Sequence, residues 1–366
     1  MKVLHVTYDM RIGGTEMVIK NIIEGNTDPD IKMSIFCIES PLGPWGHELQ
    51  KTALIDITVA NRKPGFDFEL IQQLRNHIKT NTIDIVHCHQ YTPWVYGALA
   101  AMGSSARVIF TEHGRFYPDT SSWKRKIINP LLMQLTQQVT AISRATKEAL
   151  KAFENIPLNK IKLVYNGILP LSSPKSDVET LKETLGIPND FLVFGTVSRM
   201  DPIKNHKLMV RAFAEFNQTF PNSILLLVGD GEEKETIVGL IEQYSLSSNV
   251  ILTGYIKKPV NHIAALDVFL LPSFSEGTSM TLLEAMSLSK PSIVTDVGGN
   301  PEVVQHAETG IVIKNNNLKD LVSAMKTLAT DRQSRELLGR NAKLRFDDMF
   351  SLDKMCKAYK ALYQKR

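Results

Sequence analysis

Cysteine is scarce: Cys37, Cys88 and Cys356 are the only three in 366 residues. So small and odd a set forms no disulfide framework and points to a reducing compartment. No window reaches the ~18 uninterrupted apolar residues of a membrane-spanning helix. Met1–Met10 runs straight into a strand-like pattern. It has neither the apolar core nor the small-residue cleavage site of a secretory signal. A cytoplasmic protein is therefore expected, at most peripheral at the inner face of a membrane. One-sided charge is missing too. Lys and Arg number 42 against 38 Asp and Glu, a net +4, without the basic stripe of a nucleic-acid binder. Solenoid-period repeats and low-complexity tracts are absent. What remains is an ordinary globular composition, 43% hydrophobic and 22% charged, too apolar for disorder. The length suffices for two domains.

Short apolar runs alternate with amphipathic segments. Strands are expected near Val3–Thr7, Met33–Ile38, Ile55–Val59, Ile83–His87, Arg107–Thr111, Gln138–Ile142 and Ile161–Val164. A second series falls near Phe191–Val197, Ile224–Val228, Val250–Thr253, Val268–Leu271, Ser292–Thr295 and Gly310–Ile313. Runs such as Leu225-Leu226-Leu227-Val228 are apolar on both faces, as strands inside a parallel sheet are. Helical patterns between them, for example Phe68–Lys79 and Leu208–Phe216, make an α/β class. Leu169–Asp190 breaks the rhythm with Pro170, Ser172, Ser173, Pro174 and Pro188 around a short charged helix, and is read as an interdomain linker. Two doubly wound, Rossmann-like parallel-sheet domains are expected, residues 1–168 and 169–350, with ligands at the carboxyl ends of strands in the cleft between them.

The strongest motif is Ser273-Phe274-Ser275-Glu276-Gly277-Thr278-Ser279-Met280-Thr281-Leu282-Leu283-Glu284-Ala285-Met286. A buried-looking strand ends at Pro272, a polar turn follows, and Thr278 or Ser279 caps a helix beginning near Met280. Helix-start N–H groups of this kind suit a diphosphate. Glu276 falls on the turn and Glu284 one turn into an apolar helix, where a lone carboxylate is costly without a partner. Ribose or sugar hydroxyls would serve as that partner. Equally, Glu284 marks a solvent face and Glu276 is an ordinary loop acid. Next, Arg199 and Lys204 follow the strand Phe191–Val197, where two fixed cations neutralise a leaving diphosphate. A solvated loop is the alternative. The loop Tyr8–Glu16 carries Gly13 and Gly14, short of a full G-x-G-x-x-G. It is either a close approach to a ligand or a plain tight turn. His113, just past the strand Arg107–Thr111, either hydrogen-bonds a sugar hydroxyl or is structural. His87-Cys88-His89 places two imidazoles on one strand face without a partner cluster in the sequence, so no metal site is expected there. Asp56 and Asp84 form no D-x-D clamp, and Gly229-Asp230-Gly231 reads as a turn after a buried strand.

These four motifs, in this order and each after a strand, resemble glycosyltransferase family 4, the retaining family with the GT-B fold. The resemblance spans essentially the whole chain. Its most specific part is Glu276 to Glu284, spaced E-x(7)-E, continued by Leu288 to Val304 through Gly298-Gly299-Asn300-Pro301-Glu302. By this resemblance, Arg199 and Lys204 bind the donor phosphates. Glu284 holds the nucleotide ribose and Glu276 the hydroxyls of the transferred sugar. The backbone of Gly277, Thr278, Ser279 and Met280 lines the diphosphate and sugar. Gly13 and Gly14 approach the phosphates, and His113 contacts the donor sugar near the reacting carbon. His113, Arg199, Lys204 and Glu276 are thus the expected catalytic set. The last helix, about Ser351–Tyr363, returns to the N-terminal domain, which would take the acceptor while the C-terminal domain takes the donor. Thr278-Ser279 stands where the family often has an aromatic residue and glycine. Ser289 replaces a frequent glycine at the helix end, so a different turn is expected there.

The implied activity is metal-independent, retaining transfer of a hexosyl or N-acetylhexosaminyl group. The donor would be a nucleotide sugar, UDP being the first expectation, and the acceptor a glycan or a lipid-linked molecule in cell-surface polysaccharide biosynthesis. Ser122–Met133 combines Trp123, three cations and apolar residues, either a segment touching an anionic membrane or an amphipathic helix packed on its domain. No cofactor beyond the nucleotide sugar is implied. The competing functional classes are a non-hydrolysing nucleotide-sugar epimerase and a non-catalytic sugar-nucleotide sensor.

Overall fold

The computed structural model describes residues 1–53, 55–114 and 122–365. Seven strands form the first sheet: β1 Lys2–Thr7, β2 Lys32–Cys37, β3 Ile57–Val59, β4 Ile85–His89, β5 Arg107–Glu112, β6 Gln138–Ala141 and β7 Ile161–Leu163. All pair in parallel, in the order β3-β2-β1-β4-β5-β6-β7. Six form the second: β8 Leu192–Val197, β9 Ser223–Val228, β10 Val250–Gly254, β11 Val268–Leu271, β12 Ser292–Thr295 and β13 Gly310–Ile313. These too are parallel, in the order β10-β9-β8-β11-β12-β13. Helices connect successive strands, as parallel pairing requires. The apolar runs that announce the strands are buried: Leu225, Leu226 and Leu227 are fully shielded in β9. Each such side chain contributes roughly 1.5–3 kcal/mol.

The chain divides into two compact units, Met1–Gly167 with Leu352–Arg366, and Ile168–Ser351. In the first, the returning helix Leu352–Gln364 buries Tyr359 and Tyr363 against the sheet, and the Tyr363 hydroxyl lies 2.8 Å from His87 Nδ1. The segment expected to be a linker is part of the second unit. The Leu171 N–H donates to Ser287 Oγ at 2.7 Å, Ser173 Oγ donates to Asn261 Oδ1 at 2.7 Å, and its helix is Lys175–Thr184. Proline and serine marked an irregular segment correctly, but not a free one.

Ser289 is a second correction. Although it is not glycine, its φ is +58°, the left-handed cap that the helix end Met280–Ser287 calls for. The reason is on the other side of the turn: a Cβ at Gly339 would collide with the Ser289 carbonyl, so the turn is held by packing. A non-glycine residue in that conformation costs about 1 kcal/mol. Ser289→Gly is therefore expected to raise stability by roughly 0.5–1 kcal/mol. Denaturant unfolding checks this, and a destabilised variant contradicts it.

Candidate active site

In a doubly wound sheet, ligands sit beyond the carboxyl ends of the strands where strand order reverses. In the second unit that point lies between β8 and β11. The loop after β8 carries Arg199 and Lys204, and the loop after β11 carries Glu276. Lys204 Nζ donates to Glu276 Oε1 at 2.6 Å, and Ser273 Oγ donates to the same oxygen at 2.7 Å. The Phe274 N–H bonds the Ile203 carbonyl at 2.8 Å, tying the two loops together. Asp201 caps the short turn Pro202–Lys204 through the Lys204 N–H, which fixes where the lysine starts. The Glu276 side chain is only 8% exposed, whereas Arg199 is 73% exposed and 3.6 Å from Asp201 Oδ2. Two cations therefore stand at one strand end, one paired and shielded, the other open to solvent.

The helix Met280–Ser287 begins beside Glu276, and Ser279, not Thr278, is its cap, accepting from the Leu282 N–H at 3.3 Å. Gly277 and Thr278 form the turn between. Glu284 lies in the next turn. Its Oε2 is buried with no hydrogen-bond partner among the described residues. Burial alone pushes its carboxyl up to about 7. An unpaired acid in an apolar setting is an acceptor waiting for a donor, which separates it from the solvent-face alternative.

Two glycine turns hold this arrangement, and their role is not visible in the sequence. Gly298 has φ +50°, and a Cβ there would collide with the Glu276 carbonyl, to which the Gly299 N–H also donates at 3.1 Å. Gly229, at φ +142°, lets β9's loop close over the Ser198 carbonyl. Gly229-Asp230-Gly231 is thus the support of the Arg199 loop, bonded at Met200 N to the Asp230 carbonyl (2.9 Å). Repeated glycines after strand ends were the only available signal.

The first unit has its own switch point, between β1 and β4. After β1, Gly13 precedes the helix Gly14–Glu24 and supplies no side-chain cap. A Cβ at Gly14 would meet nothing within 4 Å. Neither packing nor a positive φ demands glycine there. Asp9 and Arg11 form an ion pair in the same loop. His113 follows β5, and its Nε2 is 2.8 Å from His89 Nδ1. Burial lowers it to about 3, so it is neutral. The expectation that His87 and His89 lack a partner cluster is overturned: His5 on β1 joins them, their ligand atoms within 4.8 Å of one another. Hydrogen bonds already occupy this trio. His5 Nδ1 and His89 Nε2 are 2.9 Å apart, closer than the roughly 3.3 Å between two ligands of a tetrahedral zinc.

Residues 12–170 match the family model described as Glycosyltransferase Family 4, and residues 177–345 the one described as Glycosyl transferases group 1. The chain belongs to glycosyltransferase family 4. It is an enzyme of the glycosyl-transferring class. Among relatives, it is 28% identical over 310 residues to N-acetyl-alpha-D-glucosaminyl L-malate synthase of Bacillus anthracis, covering 82% of this chain and 79% of that one. It is 26% identical over 375 residues to UDP-Gal:alpha-D-GlcNAc-diphosphoundecaprenol alpha-1,3-galactosyltransferase of Escherichia coli, covering 99% and 96%. The crystal structure of Anabaena Alr3699/HepE in complex with UDP shares the fold, with a TM-score of 0.88, 21% identity and 99% of each chain covered. The two-sheet GT-B architecture is therefore that of the family.

Proposed function

We propose that this glycosyltransferase moves a hexosyl or N-acetylhexosaminyl group from a UDP-linked donor to a glycan or lipid-linked acceptor in cell-surface polysaccharide biosynthesis. The transfer retains configuration and uses no divalent ion. The observation that carries the reading is the Lys204–Glu276 pair at the β8/β11 switch point, beside the start of the Met280–Ser287 helix. Lys204, Arg199 and the helix-start N–H groups supply positive potential where a diphosphate leaves, which makes a metal unnecessary. Binding of the diphosphate draws Lys204 away from Glu276, whose carboxylate then accepts from hydroxyls of the sugar. Glu284 accepts from the ribose. Gly277 to Met280 line the diphosphate. Gly13, Gly14 and His113 are assigned to the donor's phosphates and transferred sugar, and the first unit to the acceptor. A UDP-linked donor and an undecaprenol diphosphate acceptor are named for the Escherichia coli relative, and UDP is held by the Anabaena protein; both support this choice of substrates.

A membrane contact fits a lipid-linked acceptor. The helix Trp123–Gln134 buries Asn129 and Leu132 and leaves most of its other apolar residues outside. Its inner face joins Leu132 to a polar cluster: Arg125 Nη1 pairs with buried Glu154 at 2.7 Å, and Asn129 donates to Glu154 Oε2 at 2.9 Å while accepting from the Tyr91 hydroxyl at 2.7 Å. Its outer face carries Trp123, Ile127 and Leu131, 69%, 61% and 60% exposed, flanked by exposed Lys124 and Lys126. An apolar stripe edged with lysines suits the interface of an anionic bilayer. The chain is expected to float with anionic vesicles at low salt, and Trp123→Ser with Ile127→Ser to stay behind. A wild-type chain that does not float contradicts this contact.

The functional test is incubation with radiolabelled UDP-sugars and a bacterial lipid extract, in EDTA, followed by anomeric assignment of the product by NMR. Label transferred in the α configuration from an α-linked donor supports the reading. An epimerised nucleotide sugar formed without acceptor would replace it with the epimerase class.

A further inference from the structure

Three neutral imidazoles form a hydrogen-bonded chain at the first unit's switch point. His5 lies on β1 and His89 ends β4, with His5 Nδ1 2.9 Å from His89 Nε2. His89 Nδ1 in turn lies 2.8 Å from His113 Nε2. The rings stack with centroids 5.2 and 5.1 Å apart. His87 stands outside the chain, both its nitrogens taken by hydroxyls, Tyr363 at 2.8 Å and Thr111 at 2.7 Å. At the two ends, His5 Nε2 and His113 Nδ1 are buried and have no partner among the described residues. Burial lowers His5 and His113 to about 3, and His89 well below its ordinary value. None of the three carries a charge near neutral pH.

A bond between two neutral imidazoles needs one N–H and one bare nitrogen. Three rings with one proton each satisfy both bonds in only two ways. Either all three carry the proton on Nδ1, or all three carry it on Nε2. Any mixed set breaks a buried hydrogen bond. In the all-Nε2 state, His5 would bury an N–H with no acceptor. In the all-Nδ1 state His5 buries a bare nitrogen, and the N–H without an acceptor is that of His113. Buried orphan donors are costly, and His5 is fully buried inside the sheet whereas His113 is part-exposed in the loop after β5. The all-Nδ1 state, which puts the free N–H at His113, is therefore favoured, and it leaves His113 with an Nδ1–H to give.

We propose that His5 and His89 are positioning residues that lock His113 in its Nδ1–H form, so that it meets a substrate oxygen as a neutral hydrogen-bond donor. That His113 meets a substrate rests on the transfer reading. The locked tautomer does not, and it is measured without any substrate.

The experiment is tautomer-resolved NMR of the full chain labelled with imidazole 15N, assigned by single histidine variants. Wild type should show Nδ1–H for His5, His89 and His113, unchanged from pH 6 to 8. His89→Phe should release His113 to a mixed or Nε2–H form. Since that variant is at the centre of the chain and is the one at risk of misfolding, His5→Phe is the second test. It makes no contact with His113 in the chain yet should shift its tautomer in the same direction. In both variants, donor KM should rise about 5- to 10-fold with little change in kcat, the loss of one hydrogen bond. Mixed tautomers in wild type, or a His113 signal indifferent to both variants, overturns the proposal. So does a pattern rebuilt by adding Zn²⁺ to EDTA-treated protein, which would make the cluster a metal site. If the locked pattern holds but no transfer is found, the transfer reading fails and the tautomer lock stands.

Discussion

Lys204→Ala is expected to lower kcat/KM for sugar transfer by about 10²–10³, the loss seen when one group that stabilises developing charge is removed. The lysine is the shielded one of two cations at the end of β8, and its ammonium is held at 2.6 Å from Glu276. Arg199 is exposed and loosely held, so it cannot replace a fixed charge without reordering. The same substitution removes the partner of a carboxylate that is nearly buried, which destabilises the fold. Glu276→Gln separates the two effects, because the amide keeps a bond from Ser273 without the uncompensated charge. The double variant Lys204→Ala/Glu276→Gln should therefore recover much of the melting temperature lost in Lys204→Ala while remaining inactive. Near-native transfer by Lys204→Ala would remove the lysine from the chemistry.

Glu284 should make both stability and nucleotide binding depend on pH. Its carboxyl titrates near 4.5 when unfolded and at about 7 in the native chain, because burial opposes its charge. The native state thus holds an extra proton between those values. Stability contributed by the protonated form is full below pH 4.5 and is lost as pH rises through 7. A shift of that size corresponds to roughly 3 kcal/mol. Glu284→Gln should abolish this slope and melt higher than wild type above pH 7, an unusual result for a binding residue. A nucleotide whose ribose hydroxyls donate to the carboxylate favours its charged form. UDP should therefore bind more tightly as pH rises through 7 and release a proton on binding near pH 7. Calorimetry in buffers of different ionisation enthalpy reads that proton directly. Proton-neutral binding at pH 7 would place the ribose elsewhere.

Both sheets were legible in the sequence because their central strands, such as β9 and β11, are buried on both faces and so appear as unbroken apolar runs. β11, β12 and β13 fall where the runs place them. β4 is displaced by two residues, from Ile83–His87 to Ile85–His89. Histidine carries no apolar signal, yet His89 is fully buried because its ring is neutral and bonded on both sides. The same blindness hid the imidazole chain, whose members come from two strands and the loop after a third and share no local spacing. Glu276 and Glu284 could be named because one motif holds them both. What fixes Glu276 could not: Gly298 touches its carbonyl from a turn after β12, and Ser273 bonds its side chain. Ser289 shows the reverse case, a residue whose local preference opposes its turn and loses to packing from Gly339.

Calorimetric titration of UDP into wild-type and Lys204→Ala protein, with excess EDTA throughout, tests the central claim most directly. Binding by wild type that survives EDTA and weakens at least 10-fold in the variant is the predicted result, as the loss of a charge-assisted contact to phosphate requires. Binding that disappears with EDTA, or that is the same in both proteins, would contradict a diphosphate site built from Lys204 and the Met280–Ser287 helix alone.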